Sequence, residues 1–374
     1  MQSKIHLSLP AFIRKNVVAC IAIVAAVITS FIVKPDKHYI NYFDFKTLTC
    51  LFCTLAVVCA FKNIHIFEII SRKIVSMFKT VRSAVIALVY ITFIGSMILA
   101  NDMALITFLP LGYFVLSSTH NKKYMAFTFI MQNIAANLGG MITPFGNPQN
   151  LYLYSYFNIS TAEFTQIMAL PFIISIALIT TCCFLLGKEE LVLDGEYEIK
   201  LSTWRVIVYS VLFVFSIMIV FRTVPYYWGL IIVPAALLIL DRKALLKVDY
   251  GLLLTFCAFF VFAGNMARID AVNNFLNWLI SKNTLLYGML SCQVISNVPS
   301  AILLSKFTQN YQELLVAVNI GGAGTLIASL ASLITFREYS KRAPHEIGTY
   351  IKLFSAFNFG ILIILFIVMS IKFA

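Results

Sequence analysis

The chain has 374 residues, 60% of them hydrophobic and only 12% charged. A soluble domain carries about 25% charged residues, so a soluble enzyme or scaffold is excluded, and the length fits about ten membrane spans of about 20 residues. The formal net charge of +12 lies in short Lys- and Arg-bearing loops between apolar runs, which reads as a topology signal and not as a nucleic-acid surface.

The first apolar run, near 16–33, is long enough to remain as a span, and a second follows near 47–61. Residues 62–82 mix apolar side chains with Lys62, Arg72, Lys73, Lys79 and Arg82, the pattern of an amphipathic helix in the interface. With Lys4, Arg14 and Lys15 cytoplasmic, two crossings bring that basic stretch back to the cytoplasm, as the positive-inside bias requires. The runs 83–100 and 103–118 follow, interrupted by Asn101–Asp102 and flanked on both sides by cations. They are either two full spans or a re-entrant hairpin with Asn101–Asp102 at its tip. Run 124–159 then crosses outward and 163–186 returns. The loop 187–202 is acidic for a cytoplasmic loop, although Asp and Glu weigh little in the bias. Runs 203–221 and 226–240 form the next pair, and "DRKALLK" (241–247) lands inside. Run 251–267 exits, and Arg268 with Asp270 reads as a surface ion pair. Run 284–308, broken by "SNVP" (296–299), re-enters from outside. Run 312–336 crosses inward, leaving Arg337, Lys341, Arg342 and Lys352 cytoplasmic, and 349–371 ends outside.

The expected fold is an all-α polytopic protein of the cell membrane, with about nine transmembrane spans plus two re-entrant hairpins that open from opposite sides. The N-terminus is expected in the cytoplasm and the C-terminus outside. The eight Cys lie within apolar runs; Cys50–Cys53 is a lone Cys-x-x-Cys without a second pair, so inert thiols are expected. Opposed hairpins are what an inverted-topology repeat produces, here about 16–186 and about 203–372 within one domain, 1–374. "TPFGNPQNL" (143–151) should then have a counterpart, and "TLIASLASL" (325–333) stands in the right place. Thr143 aligns with Thr325, Gly146 with Ala328, Asn147 with Ser329, Asn150 with Ser332, and Asn101 with Asn297 at the hairpin tips. "NIGGAG" (319–324) supplies glycines upstream as "NLGG" (137–140) does.

Two prolines, glycine and amides inside an apolar run break a helix at membrane depth, where freed backbone must be satisfied by protein, water or ligand. Carbonyls released there suit a cation, and half-helix N-termini suit an anion. The expected substrate ligands are Asn101, Asn147, Gln149, Asn150, Asn297 and Thr325. The expected cation ligands are Asn101, Asp102, Thr143, Gly146, Asn147, Ser296, Asn297, Thr325 and Ser329. Asp102 is an acid deep in an apolar segment, either a cation or proton site or a helix cap. Asn133 and Asn137 share a helix face and are read as glue between helices.

"ANDMALITFLPL", "NLGGMITPFGNPQNLYLY", "SNVPSAILL" and "GAGTLIASLASL" resemble the ion transporter superfamily over roughly residues 60–372. Its members include divalent anion:sodium symporters, citrate transporters, arsenite permeases and one class of sodium/proton antiporters. In the symporter branch both tips read Ser-Asn-Thr; here they read Ala-Asn-Asp and Ser-Asn-Val. The resemblance implies an elevator-like motion of hairpins and broken helices against a fixed scaffold, and a homodimer.

The leading reading is a secondary transporter that moves a small anion such as citrate or a dicarboxylate, coupled to Na+ or H+, with helix N-termini and no ligating Arg supplying the positive field. Arsenite efflux or Na+/H+ antiport is the alternative, and a non-transporting scaffold or sensor is the alternative from another class. No paired acids, Ser–His arrangement or metal motif within spans suggests an enzyme, and no GxxxxGK[ST] loop supplies an ATP motor or calls for a cofactor.

Overall fold

A computed structural model describes residues 17–67, 69, 73, 77–190 and 202–374. The basic N-terminal residues, the middle of the expected interfacial helix 62–82 and most of the acidic loop 187–202 lie outside the described residues. The helices are α1 (Val17–Ile32), α2 (Phe45–Asn63), α3 (Val81–Leu99), α4 (Asn101–Ser118), α5 (Met125–Gly139) and α6 (Pro148–Tyr156). Then come α7 (Thr161–Phe184), α8 (Thr203–Val220), α9 (Tyr226–Leu240), α10 (Arg242–Leu246), α11 (Tyr250–Ala267) and α12 (Asp270–Lys282). The chain closes with α13 (Thr284–Ile295), α14 (Asn297–Leu304), α15 (Tyr311–Ile320), α16 (Leu330–Arg342) and α17 (Ile347–Phe373). Among the described residues no strand forms beyond one antiparallel bridge, Thr80 to Glu190. Among the described residues seven helical segments have the length and apolar composition to cross a bilayer, and α1, α9 and α13 are shorter apolar helices. The protein is an all-α polytopic membrane protein.

Three apolar runs of the sequence split where the sequence breaks them. Run 124–159 becomes α5 and α6, run 284–308 becomes α13 and α14, and run 312–336 becomes α15 and α16. The second hairpin has arms of 12 and 8 residues, about 18 and 12 Å long, too short to cross about 30 Å of hydrocarbon. The first has arms of 19 and 18 residues. Both turn on one non-glycine residue with positive φ: Ala100 at φ 66°, ψ 150°, and Ser296 at φ 76°, ψ 158°. Such backbone costs about 1–3 kcal/mol and persists only where surrounding contacts fix it.

Acids and amides that interrupt apolar sequence serve as helix caps. Asp44 Oδ1 accepts from the Thr47 amide at 3.0 Å to start α2, and Asp249 Oδ1 accepts from the Leu252 amide at 3.0 Å to start α11. Each such cap stabilises by about 1 kcal/mol. The packing has three parts. α11 lies along α1; α2 packs with α8, α9 and α10; and the hairpins and broken helices pack together, with α5 against α16 and α6 against α14 and α15. Ile207, Val211, Ile231 and Ile239 on α8 and α9 stay exposed, as suits helices facing lipid.

Two expectations need correction. Arg268 does not pair with Asp270: its Nη1 and Nη2 grip Asp36 at 3.1 and 2.7 Å, and Nη1 also donates to Tyr42 Oη at 3.0 Å. The pair ties α11 to the α1–α2 connection and holds the Asp36 carboxyl below the usual carboxylate range. Asp270 instead begins α12, a helix not expected from the sequence, whose three Asn masked its period. α12 buries only Ile280 and exposes Phe275 and Trp278, with Lys282 Nζ 3.6 Å over the Trp278 ring. It stands before the second hairpin where the stretch 62–82 stands before the first.

Candidate functional site

The two breaks are tied to the two hairpins by the same bond. Thr143 Oγ1 donates to the Met97 carbonyl at 2.9 Å, and Thr325 Oγ1 donates to the Gln293 carbonyl at 3.2 Å. Met97 and Gln293 each stand four residues before a tip Asn. The tips also match: Asn101 Oδ1 accepts from the Asp102 amide, and Asn297 Oδ1 from the Val298 amide, both at 2.9 Å. Each tip Asn thus engages the backbone amide that follows it at the start of its helix.

The first break is closely packed. A Cβ on Gly140 would lie 2.4 Å from Asn147 Oδ1 and 2.8 Å from the Gly146 carbonyl. Gly140→Ala is therefore expected to push the break open, with an overpacking cost of about 1–3 kcal/mol. A thermal midpoint in detergent equal to that of the wild type would contradict this.

Behind the tips lies a layer of buried amides. Asn319 Oδ1 accepts from Asn147 Nδ2 at 3.2 Å and Gln149 Nε2 at 3.4 Å, and Asn319 Nδ2 donates to Asn150 Oδ1 at 2.6 Å. Asn150 Nδ2 reaches the carbonyls of Gly140, Met141 and Thr143 at 3.2–3.3 Å, so both ends of this fully buried side chain are engaged. Asn133 Nδ2 donates to Ser332 Oγ at 3.2 Å, while Asn137 Oδ1 accepts from Asn101 Nδ2 at 3.2 Å. Asn133 and Asn137 thus join helices, as their spacing suggested. Ser329 Oγ caps α16 by accepting from the Ser332 amide at 3.2 Å.

In front of this layer is a cavity of about 560 Å³ between the hairpin tips and the faces of α1 and α11. Asn101, Pro148, Asn297 and Leu330, the first residues of α4, α6, α14 and α16, all line it. Four helix N-termini, each carrying about half a positive charge, therefore open on one space. Of the expected ligands, Asn101, Asp102, Gln149, Ser296 and Asn297 line this cavity. Thr143, Gly146, Asn147, Asn150, Thr325 and Ser329 are not on its lining; they build the breaks behind it. Three buried acceptors at the first break and tip have no hydrogen-bond partner: Asp102 Oδ1, Asn147 Oδ1 and Gln149 Oε1. Asn147 Nδ2 donates to the Asn137 carbonyl at 3.1 Å as well as to Asn319, which fixes the orientation of its amide. Buried oxygens without donors are the chemistry of a cation site.

Four residues of the site were not singled out in the sequence. Asn319 is the counterpart of Asn137 in "NIGG" and "NLGG", a match used there only for its glycines. Gln293 holds the second break, donating to the Gly321 carbonyl at 2.8 Å and accepting from the Thr325 amide at 2.9 Å. Asp249 and Arg337 also line the cavity, although Arg337 reads in the sequence only as a cytoplasmic charge. Leu330, Leu333 and Arg337 fall on one helical face, so the period of α16 contained that signal.

Residues 5–314 match the family described as citrate transporter. An uncharacterized transporter of Methanocaldococcus jannaschii is 33% identical over 307 residues, 82% of this chain and 84% of that protein. The inner membrane protein YbiR of Escherichia coli is 32% identical over 287 residues, 74% of this chain and 75% of its own.

Proposed function

From the premise that this chain belongs to the citrate transporter family, we propose that it is a secondary active transporter moving a small anion of the citrate or dicarboxylate type, coupled to Na+ or H+. The coarser statement, a multi-pass membrane transporter and not an enzyme, follows from the family. The anion rests on one observation, the convergence of four helix N-termini on the 560 Å³ cavity. The coupling cation rests on the unpaired buried oxygen of Asp102, an acid on the cavity lining. Paired bonds of Thr143 and Thr325, and paired tips at Asn101 and Asn297, support an inverted-topology repeat of about 16–186 and 203–372. Motion of hairpins and broken helices against α1 and α11 would open the cavity to each side in turn, with the N-terminus cytoplasmic and the C-terminus external. The unpaired Asp102 oxygen also favours a second reading, arsenite efflux or Na+/H+ exchange.

The test is counterflow. Purified protein in liposomes loaded with citrate or succinate is expected to take up the labelled carboxylate, and to concentrate it when a sodium or proton gradient is imposed. Exchange of arsenite, or of Na+ for H+, with no carboxylate flux would replace the leading reading by the second.

A further inference from the structure

Three charged residues are found among the described residues lining the cavity: Asp102 at the first hairpin tip, Asp249 at the start of α11 and Arg337 on α16. The two acids also share a smaller cleft of about 40 Å³ between α2, α4 and α11, with room for a cation and a water or two. Among the described residues no basic side chain lines that cleft. Lys247, two residues before Asp249, donates to Asn63 Oδ1 at 2.6 Å. Glu338, next to Arg337, is taken by Lys341 and Arg342, and among the described residues Arg337, itself exposed, has no hydrogen-bond or ion-pair partner. Asp102 Oδ1 is sealed from solvent and unpaired, and Asp249, an exposed residue, uses Oδ1 for its cap and has no donor to Oδ2 among the described residues.

We propose that Asp102 and Asp249 together hold the coupling cation in that cleft, and that the cavity accepts its anion only when this pair is neutralised, with Arg337 receiving the anion first. This rests on the transporter reading and deepens it. Two carboxylates at the edge of an anion cavity repel the anion, so cation and anion must raise each other's affinity by the same factor. Asp102 sits on the hairpin and Asp249 on the helix packed along α1. Movement of one against the other parts the pair and releases the cation together with the anion.

Asp249→Asn is the decisive variant, because Asn caps a helix as well as Asp does. In liposomes with labelled citrate and succinate, gradient-driven accumulation is expected to fall about tenfold or more, while equilibrium exchange persists and loses its dependence on sodium or pH. In detergent, added sodium or lowered pH, whichever neutralises the pair, should raise the thermal midpoint of the wild type and leave that of Asp249→Asn unmoved. Asp102→Asn should reproduce that loss. The inference is overturned if Asp249→Asn concentrates carboxylate with unchanged cation dependence, or keeps the wild-type thermal shift. Should the wild type move no carboxylate at all, the anion reading fails, and the thermal comparison still decides the acid pair.

Discussion

Asn319→Ala is expected to remove carboxylate flux and to destabilise the protein by about 2–6 kcal/mol, because it leaves two buried groups without partners at about 1–3 kcal/mol each. The orphans are Asn150 Oδ1, bonded at 2.6 Å to Asn319, and Gln149 Nε2, which has its bond to Asn319 at 3.4 Å. Asn147 Nδ2 keeps the Asn137 carbonyl and is not orphaned. An interhelical hydrogen bond in a membrane contributes only about 0.6 kcal/mol on average, so the lost attraction alone would be modest. The stranded polar groups decide the size, since Asn319 is 1% exposed and no bulk water reaches them. Transport fails with stability here, because Asn319 is the point at which α15 holds α6 in place and α6 presents its N-terminus to the cavity. Thermal unfolding and flux measured on the same preparation check this. A variant that melts with the wild type and still moves carboxylate would show that the amide layer does not set the position of α6.

Period and punctuation made the scaffold readable before any coordinates. Apolar runs gave the helices, Asn101 and Asn297 gave the two tips, and Gly139, Gly140, Pro144 and Pro148 gave the first break. Tertiary pairing was harder to read. A polar residue inside an apolar run can face a ligand or another helix, and sequence carries no sign of which. Gln149 and Asn150 are neighbours in the first turn of α6, yet Asn150 has both ends engaged by protein while Gln149 keeps an oxygen unpaired and lines the cavity. Charges near helix ends raised a related difficulty. Arg337 satisfied the topology rule well enough to hide that it lines the cavity with Asp249, which caps α11. Arg268 was misassigned for a third reason: its partner Asp36 is 232 residues away, and local spacing favoured Asp270.

Asn297→Ala should lower carboxylate flux by about 10- to 150-fold, the equivalent of about 1.5–3 kcal/mol for one hydrogen bond to a charged ligand group. Asn101 and Asn297 occupy matching tips but have different freedom. The Nδ2 of Asn101 is bonded to Asn137 Oδ1, whereas among the described residues no acceptor is bonded to the Nδ2 of Asn297, which lines the cavity at the start of α14. The fold around Asn297 does not depend on that nitrogen: its backbone amide donates to the Ala328 carbonyl at 2.9 Å and survives truncation. Asn297→Asp separates the roles further. It keeps the oxygen that accepts from the Val298 amide at 2.9 Å and exchanges a donor for a carboxylate, so it should stay folded and lose more anion flux than Ala does. Asn101→Ala should behave otherwise, lowering the thermal midpoint because it frees Asn137 Oδ1 inside the protein. If both tip variants lose flux and stability in equal measure, the two asparagines are alike in role, and the free amide of Asn297 is not the one that meets the anion.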